Sequence, residues 1–206
     1  MPADPAAALE RVALFPLNLV LFPGGVLSLR IFEPRYLRMV SECLRADRPF
    51  AVAAIIDGPE AGGVANTAGS GTLARITDWE QLDDGLLGLV CAGEQCVALR
   101  EVAVEHDQLL RASVERLPPA AEQALPGDLA WMAGLLAELL ERIGPPFDRL
   151  ATRPVTADHV ANRLIELLPL GLGRKQALFE TDDSVQRLRQ LARLINPQHE
   201  PPSAVC

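Results

Sequence analysis

Few residues in this chain have the types and spacing that cofactor chemistry needs. Residues 69–74, with the sequence GSGTLA, fit the G-x-G-x-x-A pattern that holds the pyrophosphate of a dinucleotide. That chemistry requires a strand before the glycines and a helix after them, so that the helix N-terminus meets the phosphates. Here a loop rich in Gly and Ala precedes the motif and a β-like run follows it. We therefore interpret these glycines as structural.

Metal binding and nucleophilic catalysis are also poorly supported. Cys91 and Cys96 are spaced C-x4-C without a second pair or a histidine partner, which favours core thiols beside a hairpin turn over a metal site. No serine stands in a G-x-S-x-G elbow. Trp79 lies between Asp78 and Glu80 in or beside a strand, and we interpret it as a core residue or packing anchor. The sequence thus predicts no catalytic residue, no metal and no cofactor, in a protein that is not an enzyme.

Residues 14–44, LFPLNLVLFPGGVLSLRIFEPRYLRMVSECL, contain groups suited to recognition instead. Glu33, Arg35 and Tyr36 cluster where a predicted strand meets a predicted helix. One interpretation is an ion pair and cap that fix the helix start. The other is an exposed corner that presents an aromatic ring and a guanidinium group, both favoured at binding hot spots. With Phe22, these three residues form our candidate protein-binding set.

The elements that would position these residues begin with strands. The alternation of Leu27, Leu29 and Ile31 predicts a half-buried strand over 26–32, and Pro34 suits the first turn of the helix that follows. Further strands are predicted over 50–56, 71–79, 85–93, 96–104 and 109–117, the third and fourth of these as a hairpin. Several short strands with one early helix predict a partly closed antiparallel barrel.

A Pro-rich joint over 117–128 precedes a change to helical periodicity. Four helices are predicted: one capped by Asp128 and stopped at Gly144, one from Ala157 to Leu168 capped by Thr156, one over 174–179, and one that starts at Thr181. The chain therefore divides into a barrel over 1–117 and a helical bundle over 118–206. The predicted fold class is α+β.

Charge and composition restrict the choice of partners. The chain has 19 basic and 27 acidic residues, a formal net charge of −8, and no basic stripe that would attract a phosphate backbone. Its N-terminus lacks the basic segment of a signal peptide, and no apolar stretch approaches the ~20 residues of a membrane span. The four cysteines are sparse. We expect a cytoplasmic protein that binds neither nucleic acid nor membrane.

The 14–44 segment, with GTLARI and GLLGLVCAGEQ after it, resembles the N-terminal, substrate-binding domain of the ATP-dependent Lon protease, and above all short bacterial proteins made of that domain alone. Cereblon carries a related domain. The resemblance is strong over 12–117 and extends through NRLIELLPLGLGRKQALFETDDSVQRLRQL. It implies a PUA-like β pseudo-barrel with one early helix, followed by a C-terminal α-helical bundle. The ATPase and peptidase functions of Lon belong to other domains, whose motifs we do not find in this sequence.

The resemblance implies a non-catalytic module that binds unfolded or partner polypeptide, as a substrate-recognition element or an adaptor in protein quality control. A weak homo-oligomer is compatible with this expectation. One alternative is nucleic-acid or nucleotide binding through the PUA-like barrel, which the acidic balance disfavours. Another is a small molecule held in a cleft between barrel and bundle.

Overall fold

A computed structural model describes residues 9–152 and 154–196. The predicted domain ends at 1–8 and 197–206 lie outside this range. The strands are β1 (Glu10–Leu17), β2 (Val26–Ile31), β3 (Phe50–Asp57), β4 (Asn66–Thr67), β5 (Ser70–Gln81), β6 (Leu87–Val104) and β7 (Leu110–Arg116). The helices are α1 (Pro34–Ala46), α2 (Trp131–Ile143), α3 (Ala157–Leu167), α4 (Leu172–Phe179) and α5 (Ser184–Ile195), with short 3-10 turns at Gly127–Leu129 and Phe147–Thr152.

The strands form a PUA-like pseudo-barrel, as predicted. Strands β1, β7, β6, β5 and β3 pair in that order, and a parallel pairing of β1 with β3 closes the ring. The remaining pairs in the ring are antiparallel. Closure satisfies the backbone groups of strands that would otherwise be left at an edge.

Strand β1 is not among the strands that the sequence predicts. It contains Pro16, which lies opposite Ala53 of β3. The pairing of β1 with β7 ends at Leu14, so Pro16 has a strand neighbour on one side only. A proline without a backbone N–H is tolerated at such an edge position.

The predicted hairpin of 85–93 and 96–104 is wrong. Both segments belong to the single strand β6, which runs from Leu87 to Val104. Its first half pairs with β2 on one side and β5 on the other, and its second half pairs with β7 and β5. Cys91 and Cys96 therefore lie within a strand rather than beside a turn. The first half extends beyond the ring as a three-stranded sheet.

Helix α1 begins at Pro34, as predicted, and ends where Asp47 adopts a left-handed backbone conformation and donates its N–H to the carbonyl of Cys43. Its buried face includes Tyr36 and Met39, which pack over the barrel wall. This helix therefore covers one outer face of the sheet, where β2 supplies alternate apolar residues.

The helical region also follows the predicted order, with three corrected starts, and α4 begins at Leu172 rather than Arg174. Helix α2 begins at Trp131 after a 3-10 turn and ends at Ile143 with Gly144 as its C-cap, so Asp128 is not its N-cap. Helix α3 has Thr156 as its N-cap, with the hydroxyl accepting from the His159 N–H. Helix α5 starts at Ser184 rather than Thr181, because the Asp183 carboxylate caps the Gln186 N–H at 2.6 Å.

Three apolar clusters form the interior. One fills the barrel, one lies between the barrel wall and α1, and the third joins the helices to residues of the barrel region. The third cluster includes Val20, Phe22, Ala54 and Ala68 together with the buried faces of α2, α3, α4 and α5. The strands and helices therefore share a core, while the division into two domains at residue 117 stays a prediction.

Candidate functional site

Arg35 ties the start of α1 to two loops. Its side chain is 6% exposed and forms an ion pair with Glu33 at 2.8 Å. The guanidinium also donates hydrogen bonds to the carbonyl oxygens of Gly63, at 2.8 Å, and Gln108, at 3.1 Å. The ion pair of the first sequence interpretation is present. Glu33 occupies the N-cap position but makes no side-chain capping hydrogen bond.

Tyr36 and Phe22 are interior residues in different clusters. Tyr36 stacks on Phe15 with ring centroids 4.0 Å apart, and the Arg35 guanidinium lies 4.7 Å from its ring. Burial raises the pKa of Tyr36 to about 12. Phe22 is 1% exposed and packs against Phe179 at 4.9 Å. The structure thus brings Glu33, Arg35 and Tyr36 together but places Phe22 elsewhere.

The interpretation of Phe22, Arg35 and Tyr36 as an exposed contact surface is wrong, because all three side chains are buried. Their observed contacts are internal and fix helix α1 and the joint between strands and helices. A role for the four residues in binding a partner stays a prediction, and it would act through the elements that they hold in place.

The turn that carries Phe22 is fastened to the bundle by a buried ion pair, which we call the clasp. It consists of Arg163 and Glu166 on α3 with residues 22–25. Arg163 and Glu166 pair at 2.9 Å, and the Glu166 carboxylate accepts the Phe22 N–H at 2.7 Å. Arg163 also donates to the Pro23 carbonyl at 3.2 Å. A Cβ on Gly25 would lie 2.5 Å from a Glu166 oxygen, so a side chain at this position would force the carboxylate to move.

The clasp has a shifted titration because it is removed from water. Burial raises the pKa of Glu166 to about 7, against the opposing effects of Arg163, the Phe22 N–H and Lys175. Burial also lowers the pKa of Lys175, whose ammonium donates to the Glu166 carbonyl at 2.8 Å. Through Arg163 and Glu166, this cluster links the turn at residues 22–25 to the bundle.

A second buried arginine organises the bundle. The Arg187 guanidinium is 5.1 Å from the Phe22 ring and donates to the carbonyl oxygens of Leu178 and Thr181 and to the Asn162 side chain. Burial lowers its pKa. These contacts connect α5 with helices α3 and α4, with the loop between α4 and α5 and with the barrel turn, so Arg187 is a structural residue.

The thiols and acidic groups do not assemble a reactive centre in the described part of the chain. Burial raises the pKa of Cys43 to about 11 and that of Cys91 to about 12, and it also raises the pKa of Cys96, so these thiols are poor nucleophiles. Across residues 9–152 and 154–196, no group of three or more His, Cys, Asp or Glu side chains could hold a metal ion. In the same ranges, no helix has the length and apolar content to span a bilayer.

One open groove, the β3–α4 groove, lies between barrel and bundle. It has a volume of about 630 Å³ and is lined by Asn18, residues 54–58 and the facing side of α4 through Glu180. Ile56 is 71% exposed there. The Glu180 carboxylate accepts hydrogen bonds from the Ser70 hydroxyl, at 2.9 Å, and the Gln176 amide, at 2.8 Å. Its acidic group is therefore engaged in holding strand β5 to helix α4.

A second groove, the Trp79 groove, lies on the three-stranded sheet outside the ring. It has a volume of about 610 Å³ and is lined by residues 28–30 of β2, 78–80 of β5 and 88–90 of β6, with Leu82, Pro145 and Pro146. Trp79 is 59% exposed, so its interpretation as a core residue is wrong. A Cβ on Gly88 would lie 2.9 Å from the Leu82 side chain, which therefore packs closely over this glycine.

A signal for the exposure of Trp79 is present in the sequence. Strand β5 is buried from Gly71 to Ala74 and exposed from Thr77 to Gln81. Trp79 is the apolar residue in the polar run TDWEQ, where a buried strand would show further apolar residues. An indole among polar neighbours on an exposed strand is a candidate contact residue.

A closed strand ring joined to a helical bundle, with open grooves at the joint and on the projecting sheet, agrees with the PUA-like barrel and bundle that the sequence predicts. A model of the family described as "ATP-dependent protease La (LON) substrate-binding domain" matches residues 11–197. The chain belongs to this family, and the resemblance seen in the sequence is confirmed.

Relatives and solved structures agree with this assignment. Lon protease 2 of Myxococcus xanthus is 25% identical over 199 residues, which cover 93% of this chain and 24% of that protein. Cereblon of Danio rerio is 31% identical over 114 residues, 54% of this chain and 25% of that protein. The chain spans about a quarter of the length of these curated relatives.

Similar structures cover nearly all of the described fold. A Lon N-terminal domain protein from Xanthomonas campestris has a TM-score of 0.71 and 33% identity, over 89% of this chain and 97% of that one. The N-terminal domain of a Mycobacterium avium complex Lon protease has a TM-score of 0.62 at 18% identity, over 89% and 96%. The second likeness concerns the fold alone.

Proposed function

We propose that this chain is a non-catalytic module that binds polypeptide, for substrate recognition or as an adaptor in protein quality control. The observation that carries the proposal is the Trp79 groove, an open and largely apolar depression with an exposed indole. Membership of a family described as a substrate-binding domain supports it. The buried, high-pKa thiols support the non-catalytic part.

The groove has the physical properties that contact with an unfolded chain requires. Apolar side chains removed from water contribute about 25 cal/mol per Å² of buried surface, and Trp79 offers a large, rigid surface for such contact. Pro145 and Pro146 also line the groove and belong to the helical region. A peptide in the groove would therefore touch both the sheet and the segment after α2.

The binding test uses a permanently unfolded protein. Fluorescently labelled α-lactalbumin, reduced and carboxymethylated, is titrated with the chain and followed by anisotropy. We expect micromolar binding that Trp79→Ala weakens about ten- to thirtyfold, as loss of an aromatic hot spot does. Ile56→Ala is the matched control, because it removes an exposed apolar side chain at the other groove. We expect it to change binding less than twofold.

Two results would contradict the proposal. Equal affinity of Trp79→Ala and the unchanged chain, or a larger loss with Ile56→Ala, would remove the Trp79 groove as the binding surface. A long incubation with α-lactalbumin tests the non-catalytic assignment. New bands on a gel that a single substitution in the chain abolishes would show cleavage and would contradict that assignment.

A further inference from the structure

We propose that polypeptide bound at Trp79 is held by strand addition: an extended segment pairs antiparallel with the outer edge of β5, and its apolar side chains contact the indole. This inference rests on the polypeptide binding proposed above and names its geometry. We call the outer side of residues 77–81 the β5 edge. The segments selected would be those that are extended and that alternate apolar with polar side chains.

The first observation is that one side of β5 is open. The pairing of β5 with β3 ends at Ala74, whereas its pairing with β6 continues to Gln81. Among the strands that the structure describes, residues 77–81 therefore have a neighbour on one side only, and all five are exposed. Backbone groups along such an edge can pair with another extended chain. Both present neighbours of β5 run antiparallel to it, so we expect the same direction for an added strand.

The second observation is the direction of the Trp79 backbone. The Trp79 N–H donates to the carboxylate of the adjacent Asp78 at 2.9 Å, so it points away from β6. Because backbone groups alternate between the two sides of a strand, those of Trp79 and Gln81 lie on the open side and those of Asp78 and Glu80 face β6. A carbonyl of an added strand would replace the Asp78 carboxylate as acceptor, and the Gln81 N–H would gain a backbone partner.

The third observation is an apolar row that runs across the sheet to this edge. Trp79 lies opposite Leu89 of β6, which lies opposite Leu29 of β2, so the three side chains share one face. Leu89 and Leu29 pack in the cluster between the barrel wall and α1, whereas Trp79 is 59% exposed. The row therefore continues from the core to the edge. An apolar residue opposite Trp79 in an added strand would extend it.

Charge distinguishes a segment of another protein from a second copy of this chain. Pairing Trp79 with Trp79 of another copy would place Asp78 directly opposite Glu80. Pairing Trp79 with Gln81 of another copy would place two Glu80 side chains opposite each other. Like charges directly opposite each other destabilise a strand pair. The occupant is therefore a segment of a different polypeptide, without acidic side chains at those positions.

The first test removes one N–H from the β5 edge and keeps the indole. Gln81→Pro deletes the N–H on the open side, where a proline is tolerated. Gln81→Ala is the matched control, because it shortens the same side chain but keeps the N–H. In the α-lactalbumin titration, we expect Gln81→Pro to weaken binding about fivefold, the scale of one hydrogen bond, and Gln81→Ala to weaken it less than twofold. Urea unfolding of both variants checks that the fold is intact.

The second test uses the unchanged chain and peptide competitors. The blocked nonapeptide Ser-Gly-Thr-Val-Thr-Val-Thr-Gly-Ser competes with labelled α-lactalbumin. In antiparallel addition, the residue opposite Trp79 exchanges hydrogen bonds with it and has its side chain on the indole face. With valine in that place, the valine N–H groups point to β5 and the threonine N–H groups point to solvent. N-methylation of the two valines should weaken competition at least tenfold, and N-methylation of two threonines less than threefold.

Equal losses with Gln81→Pro and Gln81→Ala, or equal competition by the two N-methylated peptides, would overturn strand addition. If Trp79→Ala still weakened α-lactalbumin binding in that case, the proposed function would stand with a different binding mode. Absence of α-lactalbumin binding would remove both proposals. A dimer of the chain alone that Gln81→Pro dissociates would overturn the inference in favour of pairing between copies.

Discussion

Replacing Glu166 by glutamine should remove a pH-dependent loss of stability from this protein. Glu166 is enclosed by Arg163 on its own helix, the ammonium of Lys175 on α4 and the N–H of Phe22. Burial outweighs these three groups and raises the pKa of the carboxyl from 4.5 to about 7. The folded chain therefore holds this proton more tightly than the unfolded chain does.

The sign and size of the effect follow from that difference. The contribution of Glu166 to the free energy of unfolding is fully present below about pH 4.5 and is lost as the pH rises through about 7. At about 1.4 kcal/mol for each tenfold change in proton affinity, the separation corresponds to about 3 kcal/mol. The glutamine side chain does not titrate, so this contribution is absent from the variant. Below about pH 7 the neutral carboxyl of Glu166 and the neutral amide of the variant both leave Arg163 without an ionic partner, so the difference between the two proteins reports the titration of Glu166.

Urea unfolding of both proteins at half-unit steps from pH 4 to 8 measures the effect. We expect the stability of the unchanged chain, relative to Glu166→Gln, to fall by about 3 kcal/mol across this range. Other titrating groups are common to both proteins and cancel in the difference. A flat difference would show that the carboxyl titrates near its ordinary pKa. A difference that rises with pH would show that the Arg163 ion pair outweighs burial.

Two further predictions concern the backbone. Gly71→Ala should lower the free energy of unfolding in urea by about 2 to 3 kcal/mol, because the new Cβ would lie 2.2 Å from the Val52 carbonyl oxygen. Gly69→Ala is the control and should lower it by less than about 0.5 kcal/mol, since a Cβ there would have nothing within 4 Å. Equal losses in the two variants would contradict this explanation. Asp183→Ala should cost about 1 kcal/mol by removing the cap of helix α5, whereas Asp182→Ala should cost less when both are measured by thermal unfolding; the reverse order would restore the earlier start predicted for that helix.

Sequence periodicity predicts an element when one of its faces is buried and the other is exposed to solvent. Strand β2 shows alternation because Leu27 and Ile31 face the core while Ser28 and Arg30 face solvent. Strand β1 shows none, since Val12 and Leu14 face the barrel interior and Phe15 packs on the other side. A strand buried on both faces reads as a continuous apolar run, which periodicity alone does not assign.

A different reason explains why the sequence predicts a hairpin where the fold has the single long strand β6. Gly93 and Glu94 stand between its two halves and have the composition of a turn. In the fold, Gly93 does not form a turn but allows a close backbone contact, because a Cβ at this position would lie 2.3 Å from the Phe22 carbonyl oxygen. The Gly93 N–H donates to the Gly25 carbonyl, and its own carbonyl accepts from Gly24. This glycine permits the close approach of the Pro-Gly-Gly turn, a contact between segments nearly 70 residues apart.

The candidate site is formed by contacts between residues far apart in the sequence, which local sequence patterns do not predict. The N–H of Phe22 meets the carboxylate of Glu166 across 144 positions of sequence. The Trp79 groove is likewise lined by residues of β2, β5 and β6 together with Pro145 and Pro146 from the helical region. A single sequence shows which residue types stand at these positions but does not show which of them contact each other.

The clasp and the Trp79 groove are connected through strand β2. Residues 22–25 are held by Arg163 and Glu166, and β2 starts at the next residue, Val26, and supplies residues 28–30 to the groove. Helix α3, which carries Arg163 and Glu166, shares an apolar cluster with helix α2, and α2 is followed by Pro145 and Pro146. The residues that β2 and the two prolines supply to the groove are thus both attached to the joint between barrel and bundle. An apolar pair could fill the space of the buried ion pair but would not fix the direction of the turn at residues 22–25.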